Sequence, residues 1–393
     1  MAKSCSKTAK DLEVLRSTVT ATTALITQLQ TSTAPAQRTG TAHIEVDALS
    51  FAHNTASLIR AHATKLSLLI TNKPFTASAV TTVLRELVCG PLPGLASAIE
   101  LCDGRYTAAM SKELKYQAGR VFAELGNLVV NIPLDGGILS EDARTGTGTT
   151  RGKSSLAMTG TVWQACDAVI ELQQIRIAGL VVRKAEQYKA TLEDALEELQ
   201  QWGEEDSDGE EGDEAGNEGV DAAQAAVDRM FGLQRHIPTE DPERIRPRLE
   251  SFLKRLRLLI LMYQAIIKRR LKTLPQIPQP ESPPESREPD EAEPSRPGGS
   301  GEPIAGGRAG LVNSVDEVLE VMKRLPDTVD ELASAFYSLD KEEIDKAMDS
   351  CLSSGFAAIE LLLRNWDGKE DEFTAWVGRS KVSGGYEGGL TLD

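Results

Sequence analysis

Apolar residues recur along this chain at spacings of three and four, and period-two alternation is rare, so the pattern predicts helices throughout. A first helix is expected over about 8–30, with Leu12, Leu15, Val19, Thr22, Ile26 and Leu29 on one stripe. A longer one covers about 43–71 and turns Leu49, Phe51, Ala52, Ala56, Ile59, Ala63, Leu66 and Ile70 inward. Asn72-Lys73-Pro74 should stop it, because a residue before proline is pushed out of the helical region. Thr76 has the side chain for an N-cap of the next helix, which runs to about Cys89. Gly90-Pro91 punctuates, then apolar helices follow at 92–101 and 111–130, the second carrying Leu114, Ala118, Val121, Leu125 and Leu128. Beyond a Gly- and Thr-rich loop at 131–155, a long helix covers 158–202. Toward its end Val181, Ala185, Tyr188, Leu192, Ala195 and Leu199 recur like a heptad. The inventory predicts an all-α protein whose residues 8–202 form a five- or six-helix up-down bundle.

The pattern then fails twice. Residues 203–219 hold nine acidic side chains, five glycines and no basic residue, a composition that cannot bury enough apolar surface to order itself. Residues 275–310 are rich in Pro, Glu, Ser and Gly and read as a second disordered linker. Between them, 220–274 should belong to a second, smaller helical lobe, with a short helix at 220–233 and a strongly amphipathic one at 242–274. C-terminal helices are expected over 311–377, divided near Pro326 and Leu339-Asp340, with a glycine-rich tail at 378–393.

The amphipathic helix has two readings. Leu249, Leu253, Leu256, Ile260, Tyr263 and Ile267 fall at spacings of four and three, and Arg and Lys fill the remainder. Such a stripe can be a zipper-like partner surface. Widened by Phe252, Leu259 and Ile266, it can equally be the core face of its own domain. Lys268-Arg269-Arg270 is in addition a short nuclear-import-like cluster.

Charge and candidate chemistry narrow the function. A net charge of −16 opposes a broad nucleic-acid or anionic-membrane role. No apolar run is long enough to span a membrane, and the N-terminus lacks a signal-peptide core, so a cytoplasmic and nuclear protein is expected. The five cysteines are scattered without a CxxC, as in a reducing compartment. His43, His53, His62 and His236 do not share a metal-ligand spacing. The stretch Gly146 to Ser154 imitates a phosphate-binding loop, but Thr147 stands where its first glycine is needed and no strand precedes it. No nucleophile and base can be paired, so neither an enzyme nor a cofactor is expected. Ser207, among acidic neighbours, is a candidate phosphorylation site.

Three blocks carry a family resemblance. Ala63-Thr64-Lys65-Leu66-Ser67-Leu68-Leu69 with Lys73-Pro74, the block Thr159 to Asp167 (Thr-Gly-Thr-Val-Trp-Gln-Ala-Cys-Asp), and Thr328 to Ala333 with Tyr337 occur in one order. With the acidic insert at 204–218 they resemble the cyclin-D-binding proteins, also called Grap- and cyclin-D-interacting proteins. The chain departs from that pattern at Gln173-Gln174, where relatives often carry a proline. The resemblance implies an all-helical scaffold with a vinculin- or talin-like N-terminal bundle. It further implies a non-enzymatic regulator of the cell cycle or transcription that binds cyclins or helix-loop-helix proteins. Its vinculin-like bundle suggests an alternative, a cytoskeletal or adhesion adaptor. On this reading Leu66, Leu69, Ile70, Val162 and Trp163 face one another in the bundle core, while the oligomeric state stays open.

Overall fold

In the computed structural model, residues 2–31, 46–103, 105–140, 154–204, 237–238, 241–275 and 308–383 are described. Every regular element among them is helical. In chain order these are α1 (Ala2–Thr31), α2 (Ala48–Thr71), α3 (Ala77–Cys89), α4 (Pro91–Cys102), α5 (Ala108–Val130) and α6 (Ser155–Glu204). Then come α7 (Ile245–Arg269), a 3-10 turn at Leu271–Thr273, α8 (Arg308–Ser338), α9 (Lys341–Leu361) and α10 (Glu372–Ser383). The acidic stretch from residue 205, Ser207, the segment 220–233, His43, His236 and most of the Gly/Thr loop lie outside the described residues.

The chain forms two compact units, Met1–Leu180 and Val181–Asp393. The division falls inside α6, whereas the sequence places it in the acidic stretch that follows. The physical reason is the heptad-like stripe: Val181, Ala185, Leu192 and Leu199 are buried within the second unit, and Trp202 there packs on Phe336 and Tyr337. A break at Arg176, with φ 56° in a region that few residues with a side chain adopt, precedes the boundary.

In the first unit α1 packs on α3 and α5, and α2 packs on α4. The predicted stripes are its core: Leu15, Ile26, Ile59, Leu66, Ile70, Leu114, Leu125 and Leu128 are all buried. Gly94 lets α4 approach α2, since a Cβ there would meet the Thr55 methyl at 2.8 Å. Buried hydroxyls find partners one turn back, Thr22 donating to the Thr18 carbonyl at 2.8 Å and Thr71 to Ser67 at 2.7 Å. Thr76 occupies the N-cap of α3, but its hydroxyl donates to the Pro74 carbonyl rather than capping, and Lys73-Pro74 is cis. Asp47 does cap α2, accepting from the Ser50 N–H at 3.3 Å. It also accepts from the Tyr106 hydroxyl and pairs with Arg176 at 3.4 Å. Burial pushes the Asp47 carboxyl up, yet these hydrogen bonds and the guanidinium outweigh it, so the net shift is downward.

The second unit is built round α7. Asp241 caps it through the Ile245 and Arg246 N–H groups at 2.7 and 2.9 Å. Phe252, Leu256, Tyr263 and Ile266 face Phe336, Met322, Cys351 and other buried side chains of α8 and α9 into one core. At the far end Arg270 is buried. Asp371 grips it with two hydrogen bonds of 2.7 and 2.8 Å, the Leu362 and Leu363 carbonyls accept from it, and it lies 4.4 Å from the centre of the Phe373 ring. The hydrogen bonds from Arg270 hold the Asp371 carboxyl well below the usual carboxylate range.

Proline does not divide the C-terminal helices as its sequence position predicts: α8 runs through Pro326. Pro326 lacks the N–H that would bond the Met322 carbonyl one turn back. That carbonyl accepts instead from the Tyr263 hydroxyl at 3.1 Å, so the helix continues without an orphaned buried oxygen. The other break is where the sequence puts it: Leu339 turns with φ 57°, and Asp340 caps α9 through the Glu342 and Glu343 N–H groups, both at 3.0 Å.

Candidate protein-binding surface

On the first unit, two of the three resemblance blocks meet. Arg60 and Thr64 lie one turn apart on α2, and Trp163 and Asp167 one turn apart on α6. The Arg60 guanidinium pairs with Asp167 at 3.0 Å and sits 5.4 Å from the centre of the Trp163 ring. The Trp163 indole N–H donates to the Thr64 hydroxyl at 3.0 Å. Arg60 opposite Asp167 and Thr64 opposite Trp163 define an antiparallel seam. One turn farther along each helix lie Leu68 on α2 and Gly160 on α6. A Cβ at Gly160 would meet nothing within 4 Å, so that position is open. Leu68 is 56% exposed and Leu156, on the same face of α6, is 57% exposed.

The surface therefore combines apolar side chains with a fixed indole and a polar pair. Both charges of that pair are about half exposed, so the ion pair contributes under about 1 kcal/mol and mainly orients the ring. Trp163 itself corrects the sequence reading. Leu66, Ile70 and Val162 are core as expected, but Leu69 is only half-buried and Trp163 is 36% exposed and stands on the rim. Its N–H needs an acceptor, and the Thr64 hydroxyl supplies one at the surface.

Elsewhere Cys102, Cys166 and Cys351 are buried, whereas Cys89 is exposed. Burial raises the thiols of Cys102 and Cys351 to about 11 and of Cys166 to about 12, so these cysteines stay protonated and inert. His62 is kept neutral chiefly by burial, with Lys65 adding to the effect and Glu86 opposing it. Glu86 lies 3.5 Å from its Nδ1, but not in hydrogen-bond geometry. Among the described residues no three His, Cys, Asp or Glu side chains are grouped to hold a metal, and no helix is long and apolar enough to cross a membrane.

Residues 53–205 match the model of the Grap2 and cyclin-D-interacting N-terminal domain. Over these residues the chain is similar to that family's N-terminal domain. Every residue of the α2–α6 seam lies inside the match, whereas the third block, Thr328 to Ala333 with Tyr337, lies outside it. The domain also extends past the end of the first unit to the last turn of α6. An uncharacterized protein of Schizosaccharomyces pombe is similar over 225 residues at 25% identity, which covers 57% of this chain and 62% of that protein. The chain thus spans less than two thirds of the length of this curated relative.

The second candidate surface read from the sequence resolves differently. Leu249, Leu253, Leu256, Ile260, Tyr263 and Ile267 are between 0% and 9% exposed, so the stripe is the core of its own unit in this conformation. Its width is the reason: a face this broad leaves no side of itself outside. The nuclear-import-like cluster is altered too, since Arg270 is buried against Asp371 and only Lys268 and Arg269 remain accessible. The exposed Leu68, Leu156 and Leu261 escaped the sequence reading, because single apolar residues on a helix surface are common and carry no spacing signal.

Proposed function

We propose that this protein is a non-enzymatic regulator of the cell cycle or transcription, acting by helix-mediated binding of a cyclin-type or helix-loop-helix-type protein through the α2–α6 seam. The observation that carries the reading is the coincidence of the seam with the family match: Arg60, Thr64, Leu68, Leu156, Trp163 and Asp167 all fall in residues 53–205. A partially exposed, hydrogen-bonded tryptophan flanked by exposed leucines is the kind of rigid anchor that dominates protein interfaces. The match supports this regulator reading and gives no support to a vinculin-like adaptor. Cytoplasmic and nuclear residence, and phosphorylation of Ser207 as a modulator of the acidic stretch, belong to the same proposal.

The test uses the full chain and a purified D-type cyclin in a calorimetric titration. The wild type is expected to bind, and Leu68→Ala with Trp163→Ala to weaken binding at least tenfold while the helical circular dichroism is unchanged. A double variant that binds like wild type removes the seam from the interface. A wild type that ignores the cyclin removes that partner class.

A further inference from the structure

A separate observation concerns the outward side of α7. Lys254, Arg257, Leu261, Gln264 and Lys268 follow one another at spacings of three and four and are all exposed, so they form a single outer stripe opposite the buried one. It extends over about 21 Å. The chain as a whole carries −16, yet this stripe is cationic. Among the described residues Lys254, Arg257 and Lys268 have no carboxylate at ion-pair distance. At its C-terminal end Glu372 is almost fully exposed and 3.7 Å from Arg269, and Asp371 is taken up by the buried Arg270. Glu250 lies one turn before Lys254 at the other end.

The stripe also has an apolar centre. Leu261 is 55% exposed, and beside it α7 and α10 enclose an open groove of ≈ 610 Å³. Leu261, Phe373 and Trp376 supply apolar wall, and Lys268, Arg269 and Glu372 its charged lining, two cations to one carboxylate. The Arg270–Asp371 pair, with two hydrogen bonds of 2.7 and 2.8 Å, anchors the start of α10 and holds the groove at that end. A groove of this size accommodates one or two large apolar side chains.

We propose that this groove and stripe dock an acidic amphipathic segment of a partner protein, with a leucine or aromatic anchor in the groove and carboxylates on Lys254, Arg257 and Lys268. Charge complementarity selects the occupant. Nucleic acid is the poorer fit, because a strip with three cations and a leucine at its middle gives few phosphate contacts on a strongly anionic protein. The surface lies outside the family match and is independent of the α2–α6 seam.

Fluorescence anisotropy with the full-length protein tests this. The probe is a labelled amphipathic peptide bearing leucine anchors and glutamates. Its controls are the same peptide with alanine at the anchors and the same peptide with lysine for glutamate. The acidic peptide is expected to bind. The alanine control should bind at least tenfold more weakly, and the lysine control should not bind. Leu261→Asp and Lys268→Glu, both at exposed sites that leave the fold intact, should each cost at least tenfold, and Leu68→Ala should change nothing. Equal binding by all three peptides, or unchanged binding by Leu261→Asp, overturns the proposal. So does binding that emerges only when the nine acids of 204–218 are neutralised, which assigns the surface to the chain's own acidic stretch. Self-association abolished by Leu261→Asp assigns it to a second copy and likewise overturns the proposal.

Discussion

The first unit closes its core mostly with aliphatic stripes and alanines around Phe122 and Tyr106, while the second gathers several aromatic rings and a buried guanidinium. Ile59, Leu66, Leu114 and Leu125 interlock in one; Trp202, Phe252, Tyr263 and Phe336 meet in the other, sealed at one end by Arg270 on Asp371. Polar groups follow the same division. In the first unit buried threonine hydroxyls bond their own helices, and the cross-helix contacts of Tyr106 with Asp47 and of Trp163 with Thr64 are part-buried and exposed. In the second, Tyr263 and Arg270 reach other helices for their partners. The second unit thus ties its helices together through buried polar contacts in which one partner's loss strands the other.

The contrast is broken most directly at α7. Leu256→Asp places a carboxylate at a fully buried position and is expected to destabilise the second unit by about 4 kcal/mol or more, enough to unfold it. Leu261→Asp, a little over one turn away on the exposed side, should change stability by less than about 0.5 kcal/mol. Circular dichroism melts of the two variants measure this, and equal melting would mean that the core face has been misplaced.

Ion pairs sharpen the comparison next. Asp371→Ala strands a buried guanidinium and should cost about 3 kcal/mol, because the Leu362 and Leu363 carbonyls cannot neutralise it. Asp167→Ala, which removes a surface partner of Arg60, should cost under about 1 kcal/mol. Urea titrations at neutral pH give both numbers. The depressed Asp371 carboxyl supplies stability that is present above about pH 4, the ordinary carboxylate value, and is lost as pH falls through its lower folded value.

The smallest effect lies in the first unit, at His62. Its folded imidazole is less basic than an unfolded one, so unfolding takes up a proton below about pH 6.5. Stability from this residue is present above that pH and lost as pH falls. Wild type should lose more urea resistance between pH 7.5 and 5.5 than His62→Gln does; equal losses would place the acid sensitivity elsewhere.

Most of the helical layout was legible because burial imposes its period on the sequence: the stripes of α1, α2 and α5 are buried nearly residue for residue. The misreadings have local causes. A residue-by-residue rule sees that Pro326 cannot donate, but not that Tyr263, 59 positions before Met322, takes the vacated Met322 acceptor. The stripe of α7 marks a buried face without saying whether the cover is the same chain or another. Trp163 lies beside Val162 in the sequence, and a step of one residue turns it about 100° toward the rim. The seam it forms with Arg60 and Thr64 joins positions about a hundred residues apart, which spacing along one helix cannot reveal.

The proline in α8 has one more effect. A helix presents nearly identical carbonyls every 1.5 Å, all engaged, so a hydroxyl from a neighbour ordinarily finds no preferred landing point. By withholding one N–H, Pro326 marks the Met322 oxygen as the vacant acceptor on that face, and Tyr263 reads the mark. Sliding or rotating α8 by a single residue would leave the phenol facing an occupied oxygen in an apolar interior. The proline thus works as an indexing notch that fixes the register of α8 against α7.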